Sequence, residues 1–268
     1  MESYFSVNQD LWNCWTKLHI NSNFYNIESF RFGIDTLDPI TKSTLCNVSG
    51  KSLLHLQCHL GLDTLSFARQ GANVTGVDFS TESINFAQEL AKELDIPATF
   101  IQSNLYDLPE NLKANFDVIF TSNGVLNWLP NLEKWAEIVS HFLKPNGIFY
   151  IQDIHPFALL FNKEVSIDSL ELSELYFRSI APTYKIEQGS YALRSAPVES
   201  RSYQWFHRLD SIINSILKSG LRLISFEEYP FLTWQRYSFL EKRSDSMWGF
   251  PSNHEFFPLM FTIQANKN

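Results

Sequence analysis

An acidic residue and a glycine turn stand where two apolar segments of the sequence end. The stretch LLHLQCHLG (53–61) ends at Gly61, and VTGVDFS (74–80) contains Asp78 after its apolar run. A carboxylate can accept hydrogen bonds from both hydroxyls of a ribose, and a buried carboxylate requires such partners. A glycine followed by a helix start offers close backbone approach and unpaired N–H groups. These features predict a nucleoside-binding site.

The surrounding sequence alternates apolar runs with helical periods. This pattern predicts a parallel α/β sheet covered by helices on both faces. Ligands bind such sheets beyond the carboxyl ends of the strands, which is where Gly61 and Asp78 would lie. The predicted strands are 51–57, 73–78, 98–103, 116–122 and 147–153, and the predicted helices are 63–70, 81–94 and 131–143.

The regular alternation stops after His155-Pro156. The next segment contains short β-prone pieces that we expect to pair as an antiparallel flap, followed by a helix and two closing strands. The later helix is predicted at 209–220 and the closing strands at 222–229 and 258–265. The predicted organisation is a single domain over 1–268. It consists of a helical cover (1–50), a cofactor-binding core (51–154) and an inserted aromatic-rich lid (155–207 and 230–256).

The order of these segments resembles the class I S-adenosylmethionine-dependent methyltransferase family over roughly residues 51–154. LLHLQCHLG resembles the first motif of the family, VTGVDFS the second, and FIQSNLYDLP the third. FDVIFTSNGVLNWL and LKPNGIFYI resemble the fourth strand and the later Lys-Pro-Gly-Gly turn. The resemblance implies an α/β, Rossmann-like doubly wound, mostly parallel seven-stranded sheet with the last strand antiparallel. It also implies S-adenosyl-L-methionine as cofactor and S-adenosyl-L-homocysteine as product.

The resemblance also assigns roles to individual residues. Asp78, followed by Phe79, is expected to hold the ribose, and Asn104 to read the adenine amino group with the Leu105 backbone nearby. Ser122 and Asn123 are expected to border the sulfonium.

The first motif departs from the family at three positions. His55 replaces the usual acid, and Gln57 and His59 replace two glycines, so only Gly61 remains. The acid normally helps to hold the methionine ammonium, so that contact must be rearranged. The carbonyl or the side-chain amide of Gln57 is a candidate partner.

The same residues leave alternatives open. A scaffold that binds the cofactor without transferring methyl is one alternative, and an NAD-dependent dehydrogenase is a weaker one because Gln57 and His59 obstruct a Gly-x-Gly-x-x-Gly turn. A metal site at His55, Cys58 and His59 lacks an apparent fourth ligand. We therefore expect no metal.

Composition and charge limit the classes of substrate and the cellular compartment that we expect. The net charge of −8 disfavours nucleic acid, and Ser122-Asn123-Gly124-Val125 differs from the Asn/Asp-Pro-Pro-aromatic tetrad of amino-methylating nucleic-acid enzymes. The N-terminus has no signal-peptide pattern, no run has the length of a membrane span, and three cysteines show no disulfide spacing. We expect a cytoplasmic protein that acts on a small molecule, with no membrane partner.

Aromatic residues make up 15% of the chain and are frequent in the predicted cover and lid. Trp15 and His19 share one face of an N-terminal helix, while Tyr203 and His207 lie in the flap. We expect all four to contact an acceptor whose attacking atom is O, N or S. His155 directly follows the fifth strand and is the predicted general base, since histidine titrates near neutral pH.

Overall fold

The structure is a computed structural model, and it describes residues 3–162, 166–167, 170–178, 181–251 and 255–268. The parts of the predicted lid at 163–165, 168–169, 179–180 and 252–254 lie outside the described residues.

The strands form one large central sheet and two small sheets. Numbered along the chain, they are β1 (Ser52–Leu56), β2 (Asn73–Asp78), β3 (Thr99–Gln102), β4 (Phe116–Ser122), β5 (Leu143–Ile154), β6 (Thr183–Gln188), β7 (Glu199–Gln204), β8 (Leu221–Tyr229), β9 (Phe231–Leu232), β10 (Glu241–Lys242), β11 (Trp248–Gly249) and β12 (Met260–Lys267). The central sheet has the order β3-β2-β1-β4-β5-β12-β8. Neighbours from β3 to β5 are parallel, and β12 is antiparallel to β5 and β8. The predicted Rossmann-like fold with an antiparallel last strand is confirmed.

Helices cover both faces of the central sheet. They are α1 (Tyr4–His19), α2 (Ile27–Arg31), α3 (Pro39–Thr44), α4 (Leu62–Arg69), α5 (Thr81–Glu93), α6 (Leu108–Asn111), α7 (Leu132–Phe142) and α8 (Leu209–Lys218). On one face, Leu54 of β1 belongs to a buried cluster with Trp135 of α7 and Ile216 of α8. On the other face, Leu53 belongs to a cluster with Phe67 of α4. The period of two along β1 therefore places successive leucines in opposite cores.

Two small sheets lie in the segments that interrupt the alternation. β6 and β7 pair antiparallel, as predicted for the flap. β9, β11 and β10 form a three-stranded antiparallel sheet inside 230–256.

The fifth strand begins earlier than predicted. The turn predicted at 145–147 lies inside β5. The register of β5 against β4 shifts across it, since Phe116 pairs with Leu143 and Val118 pairs with Ile148. Asn146 adopts a left-handed backbone with φ of 61° within this irregularity. The turn residues therefore form a bulge in a continuous strand.

No helix in the described part of the chain combines the length and the apolar character that a bilayer span requires.

Candidate active site

A cavity of about 1550 Å³ lies at the carboxyl ends of β1, β2 and β4. The strand order reverses between β1 and β4, and this switch point is where α/β sheets bind ligands. The walls also include Trp15 of α1, Tyr191 of the β6–β7 loop and Trp234 of the 230–256 segment. The three parts of the sequence that were predicted to surround the cofactor thus meet at one cavity.

Asp78 ends β2 and lines this cavity. Its Oδ2 accepts the His59 N–H at 2.9 Å, and its Oδ1 accepts the Ser80 N–H at 2.9 Å. Each carboxylate oxygen retains a lone pair for a further donor. Burial raises the pKa of Asp78 to about 6, although these backbone N–H groups oppose the rise. The residue can therefore hold a pair of hydroxyl donors while it fixes the turn after β1.

The turn after β1 keeps a glycine-like backbone without the glycines. Gln57 has φ of 57° and His59 has φ of 47°, both in the left-handed region. This conformation costs a non-glycine residue about 1–2 kcal/mol. The hydrogen bond between the His59 N–H and Asp78 offsets part of that cost. The turn therefore has the shape that the first motif requires, held by Asp78 instead of by glycine.

The retained glycine has a packing role. Gly61 was predicted to let the backbone approach a ligand, and it is not among the residues that line the cavity. A Cβ at this position would lie 2.7 Å from Cε1 of Phe100 and 2.9 Å from Cβ of Ala87, and φ is 73°. Gly61 is needed because α4 starts against α5 and β3 with no space for a side chain.

The side chains of His55 and Gln57 lie at the end of β1. His55 is buried, its Nδ1 lies 2.8 Å from the Thr64 hydroxyl, and burial lowers its pKa to about 3. A neutral imidazole cannot replace the charge of the missing acid. Gln57 Nε2 donates to the Val125 carbonyl at 3.2 Å, while its Oε1 is buried without a partner.

The side chain of His59 points away from Asp78 into a buried hydrogen-bonded chain. Its Nε2 lies 2.8 Å from Nδ1 of His19, and its Nδ1 lies 3.0 Å from the Ser83 hydroxyl. Ser83 in turn meets the Thr16 hydroxyl at 2.7 Å. Burial lowers the pKa of His19 to about 3 and lowers that of His59. Both rings are therefore neutral connectors between α1 and the turn.

Phe79, Asn104 and Leu105, which were predicted to contact the cofactor, line the cavity beside Asp78. Asn104 also caps a short 3-10 helix, because its Oδ1 accepts the Tyr106 N–H at 3.0 Å. Its Nδ2 is the atom left to donate to a ligand.

Ser122 is the last residue of β4, Asn123 follows it, and both line the cavity. Asn123 has φ of 55°, its N–H donates to the Gln152 carbonyl at 2.7 Å, and its Oδ1 accepts from Gln152 Nε2 at 3.3 Å. These bonds to β5 fix the turn that was predicted to border the sulfonium.

Asp63 is a cavity residue that the sequence analysis missed. It lies in the first turn of α4, its Oδ1 accepts the Thr36 hydroxyl at 2.5 Å, and its Oδ2 is 3.5 Å from the Ser122 hydroxyl. Burial raises its pKa to about 6, and Asp38 adds to the rise. An acid two residues after Gly61 was the available signal. Asp63 therefore brings a carboxylate to the same cavity as His55, the residue that stands in place of the usual first-motif acid.

Aromatic side chains from α1 form one wall of the cavity. Trp12 and Trp15 both line it, with ring centroids 5.4 Å apart, and Trp12 lies 5.3 Å from Trp128. Trp15 Nε1 donates to the Gly189 carbonyl at 2.8 Å. This bond ties α1 to the β6–β7 loop.

His155 does not line the cavity, and its orientation does not fit the predicted general base. Its Nδ1 accepts the Phe157 N–H at 3.1 Å, and its Nε2 lies 2.9 Å from Glu228 Oε1. Burial lowers its pKa to about 4. Both ring nitrogens are directed at neighbouring chain segments. β5 continues to Ile154, so His155 comes directly after the strand, where the chain turns away beside β12.

Tyr203 and His207 are also absent from the cavity lining. The Tyr203 ring packs 4.8 Å from that of Tyr4 and 5.4 Å from that of Tyr184. His207 Nε2 lies 2.7 Å from the Leu129 carbonyl, and burial lowers its pKa. Trp205 lies between them in sequence and does line the cavity. Tyr203 lies within β7, whereas Trp205 follows Gln204, the last residue of the strand, so strand alternation does not relate the two side chains.

No group of three or more His, Cys, Asp or Glu side chains in the described ranges could hold a metal ion.

The fold and the cavity at its switch point define an α/β protein built to bind a nucleoside-containing cofactor. A family profile described as a methyltransferase domain matches residues 47–201. The chain belongs to this family, as a class I S-adenosylmethionine-dependent methyltransferase, and its cofactor is S-adenosyl-L-methionine.

Curated relatives carry related names. A ubiquinone biosynthesis O-methyltransferase of Photorhabdus laumondii is 26% identical over 140 residues, which is 51% of this chain and 58% of that protein. A protein of the same name from Xylella fastidiosa is 25% identical over 210 residues, covering 78% of this chain and 75% of that protein. The chain spans about half the length of the first curated relatives that it matches.

Solved structures share the fold. The PH0226 protein of Pyrococcus horikoshii has a TM-score of 0.58 at 17% identity, covering 92% of this chain and 94% of that one. An S-adenosylmethionine-dependent methyltransferase of Clostridium acetobutylicum has a TM-score of 0.56 at 15% identity, covering 85% of this chain and 89% of that one. The glycopeptide N-methyltransferase MtfA in complex with S-adenosyl-L-methionine has a TM-score of 0.55 at 16% identity, covering 88% and 90%.

Proposed function

We propose that this protein transfers the methyl group of S-adenosyl-L-methionine to a small molecule bound in the same cavity. The observation that carries the proposal is the volume of that cavity. A pocket for one small ligand usually measures about 300–1,000 Å³, whereas this cavity measures about 1550 Å³. It has space for the cofactor and an acceptor side by side. The relatives named O-methyltransferases support an acceptor of this kind.

In this proposal Asp78 binds the ribose. Its two oxygens already orient the turn after β1, and each can accept one more hydrogen bond, from a ribose hydroxyl. Phe79, Asn104 and Leu105 form the adenine contacts, with Asn104 acting through Nδ2 because its Oδ1 caps a helix.

Asp63 takes over the role of the acid that His55 replaces. Its Oδ2 is engaged only by a long contact to Ser122, so it can accept from the methionine ammonium. The unpartnered Oε1 of Gln57 lies in the same turn and supports a polar ligand there. Ser122 and Asn123 then border the sulfonium.

The acceptor side is formed by α1 and by the described parts of 155–207 and 230–256, which act as one lid. Trp12, Trp15 and Trp128 provide an apolar wall that aligns a planar or apolar acceptor and excludes water. Trp15 acts from α1, while His19 is buried behind it and holds the turn after β1 through His59. The Tyr203 ring supports the lid through Tyr4. The His155 ring lies outside this arrangement.

The bound cofactor supplies a methyl group on a positively charged sulfur; the acceptor lone pair forms the new bond, the S–C electron pair stays on sulfur, and the acceptor proton leaves to solvent. The residues of the chain position the acceptor for this displacement and need not accept its proton.

Incubation with labelled S-adenosyl-L-methionine and pools of metabolites tests the proposal. The expected result is one methylated small molecule that forms only with active protein. Binding of the cofactor without labelled product from any pool would favour the non-catalytic scaffold.

A further inference from the structure

The charged residues that line the cavity are divided by sign between its two ends. The acids on the cofactor side come from the turns after β1 and β2 and from the segment before α3. The charged lining residues there are Asp35, Asp38, Asp63 and Asp78. The lid side contributes mainly cations, which are Arg178, Lys185, Arg194, Arg236 and Lys242, together with Glu187.

This division is unexpected for a chain of net charge −8. The acids match a cofactor that carries a sulfonium and an ammonium. The cofactor itself carries one anionic group, its methionine carboxylate, whereas five cations of the two inserted segments line the cavity. We therefore relate the position of these cations to the acceptor.

Lys185 of β6 is one of these cations. The alternation of β6 directs Thr183, Lys185 and Glu187 to the cavity, whereas Tyr184 and Ile186 do not line it. No carboxylate within the described ranges lies within ion-pair distance of Lys185. Glu187 is held by the Ser202 hydroxyl at 3.1 Å and by Gln204 Nε2 at 2.8 Å.

Arg236 approaches the same space from the other lid segment. Its Nε donates to the Tyr237 hydroxyl at 3.3 Å, and its guanidinium forms no ion pair with any described residue. Burial lowers the pKa of Lys185, and the cations Arg236 and Arg178 lower it further, while Glu187 and Glu174 act in the opposite direction. Arg178 differs from Arg236 because it pairs with Glu174. Two cations from separate segments thus line the same cavity without an ion pair to any described residue, Lys185 exposed and Arg236 half-buried.

We infer that the acceptor is an anion, an aromatic or otherwise apolar small molecule whose carboxylate, phosphate or sulfonate group binds between Lys185 and Arg236. This inference rests on the proposed function, since it names the class of its substrate. An anion between two cations gains charge-assisted hydrogen bonds, and the guanidinium presents a planar fork suited to an oxyanion. The tryptophan wall contacts the apolar body of the same molecule.

A pair of fluorescent dyes tests the anion site without methyl transfer. Anilinonaphthalene sulfonate and the uncharged N-phenylnaphthylamine share their aromatic rings and differ by the sulfonate. The protein is first saturated with S-adenosyl-L-homocysteine. In the double variant Lys185→Gln and Arg236→Gln, we expect the affinity for the sulfonate dye to fall at least tenfold and that for the neutral dye to change less than about twofold, a tenfold change being about 1.4 kcal/mol.

The controls separate specific recognition from net charge and misfolding. Lys185→Arg with Arg236→Lys should retain affinity for the sulfonate dye. Lys92→Gln removes an exposed charge of α5, away from the cavity, and should leave both dyes unaffected. Equal loss of both dyes, or no loss of the sulfonate dye, overturns the anion site.

Methyl transfer then tests the substrate class. Metabolite extract is divided by anion exchange at neutral pH, and each fraction is incubated with labelled cofactor. Labelled product from the retained fraction, reduced at least tenfold in the double glutamine variant, supports the inference. Product only from the flow-through overturns it. No product from either fraction, with the dye difference intact, contradicts the proposed function while the anion site stands.

Discussion

At the scale of single residues, the most informative groups are two buried carboxylates, Asp63 and Asp78. Both face the cavity, and burial raises the pKa of each to about 6. Neither has a cation among its hydrogen-bond partners, which are backbone N–H groups and hydroxyls. Such carboxylates gain most from a ligand that brings donors or positive charge to them.

The affinity for S-adenosyl-L-homocysteine is therefore expected to depend on pH. Above about pH 6 both carboxylates are ionised and can accept from ribose hydroxyls and the ammonium. As pH falls through about 6 they become protonated, so the Kd should rise by about tenfold per pH unit for each carboxylate required. Calorimetry from about pH 8 to about pH 5 measures this. An affinity that is flat across the range would contradict the role of these groups.

Asp63→Asn is expected to weaken binding of S-adenosyl-L-homocysteine at least tenfold, about 1.4 kcal/mol, because the amide lacks the charge that pairs with an ammonium. Asp210→Asn is the matched control, since Asp210 is exposed and pairs with Arg208 far from the cavity lining. Calorimetry at neutral pH compares the two. Equal effects would show that only net charge matters.

Gly61→Ala is expected to lower the free energy of unfolding by about 2–4 kcal/mol, because the methyl group meets Phe100 and Ala87 and φ is positive. Gly220→Ala is the control: φ is 84°, but nothing lies within 4 Å of its Cβ position. It should cost about 1 kcal/mol, for backbone strain alone. Denaturant unfolding measures both, and equal losses would argue against the packing role.

At the scale of elements, α1 connects the central sheet to the β6–β7 hairpin. Asn8 Nδ2 donates to the Tyr203 carbonyl and Asn8 Oδ1 accepts the Tyr203 N–H, both at 2.8 Å. His19 contacts His59 of the cofactor turn from the same helix. One helix thus contacts both the turn after β1 and the β6–β7 hairpin.

Asn8→Ala removes both hydrogen bonds to the Tyr203 backbone, and Asn8 is only 1% exposed. We expect a loss of about 1–3 kcal/mol in the free energy of unfolding. Amide hydrogen exchange of 199–204 should accelerate more than that of β1 or β4. Asn21→Ala, which removes an exposed bond to Lys17, should change neither. Uniform acceleration through the central sheet would contradict a local anchoring role.

The sequence predicted the elements whose pattern is local. Apolar runs with period two and the stops at Gly71 and Gly220 were enough to locate the strands and helices of the central sheet. The bulge near Asn146 was not predictable, because Pro145-Asn146-Gly147 is equally typical of a free turn, and only the pairing with β4 decides between them. The β6–β7 hairpin was predictable in type but not in its docking on α1.

The candidate site was predictable only where a motif fixes the position in the sheet. Asp78, Asn104 and Ser122 follow strand ends, so the fold alone brings them to the cavity. His155 also follows a strand, but its ring direction depends on contacts with Phe157 and Glu228 that no local pattern shows. The lid residues depend on long-range packing in the same way.

At the scale of the whole molecule, one cavity joins the central sheet to the two segments 155–207 and 230–256. Four aspartates that line it come from the sheet side, and its five cations come from the two segments. If the acceptor is the anion that we infer, such a field orients it relative to a cationic donor before they react. The negative net charge of the chain is thus a property of its surface, and the cavity carries its own distribution.

Calorimetric titration of the purified protein with S-adenosyl-L-homocysteine, and separately with NAD, distinguishes a methyl-donor site from a dinucleotide site. We expect binding of S-adenosyl-L-homocysteine at one site with micromolar affinity, weakened in Asp63→Asn, and no heat of binding with NAD. Binding of NAD without binding of S-adenosyl-L-homocysteine would contradict this expectation.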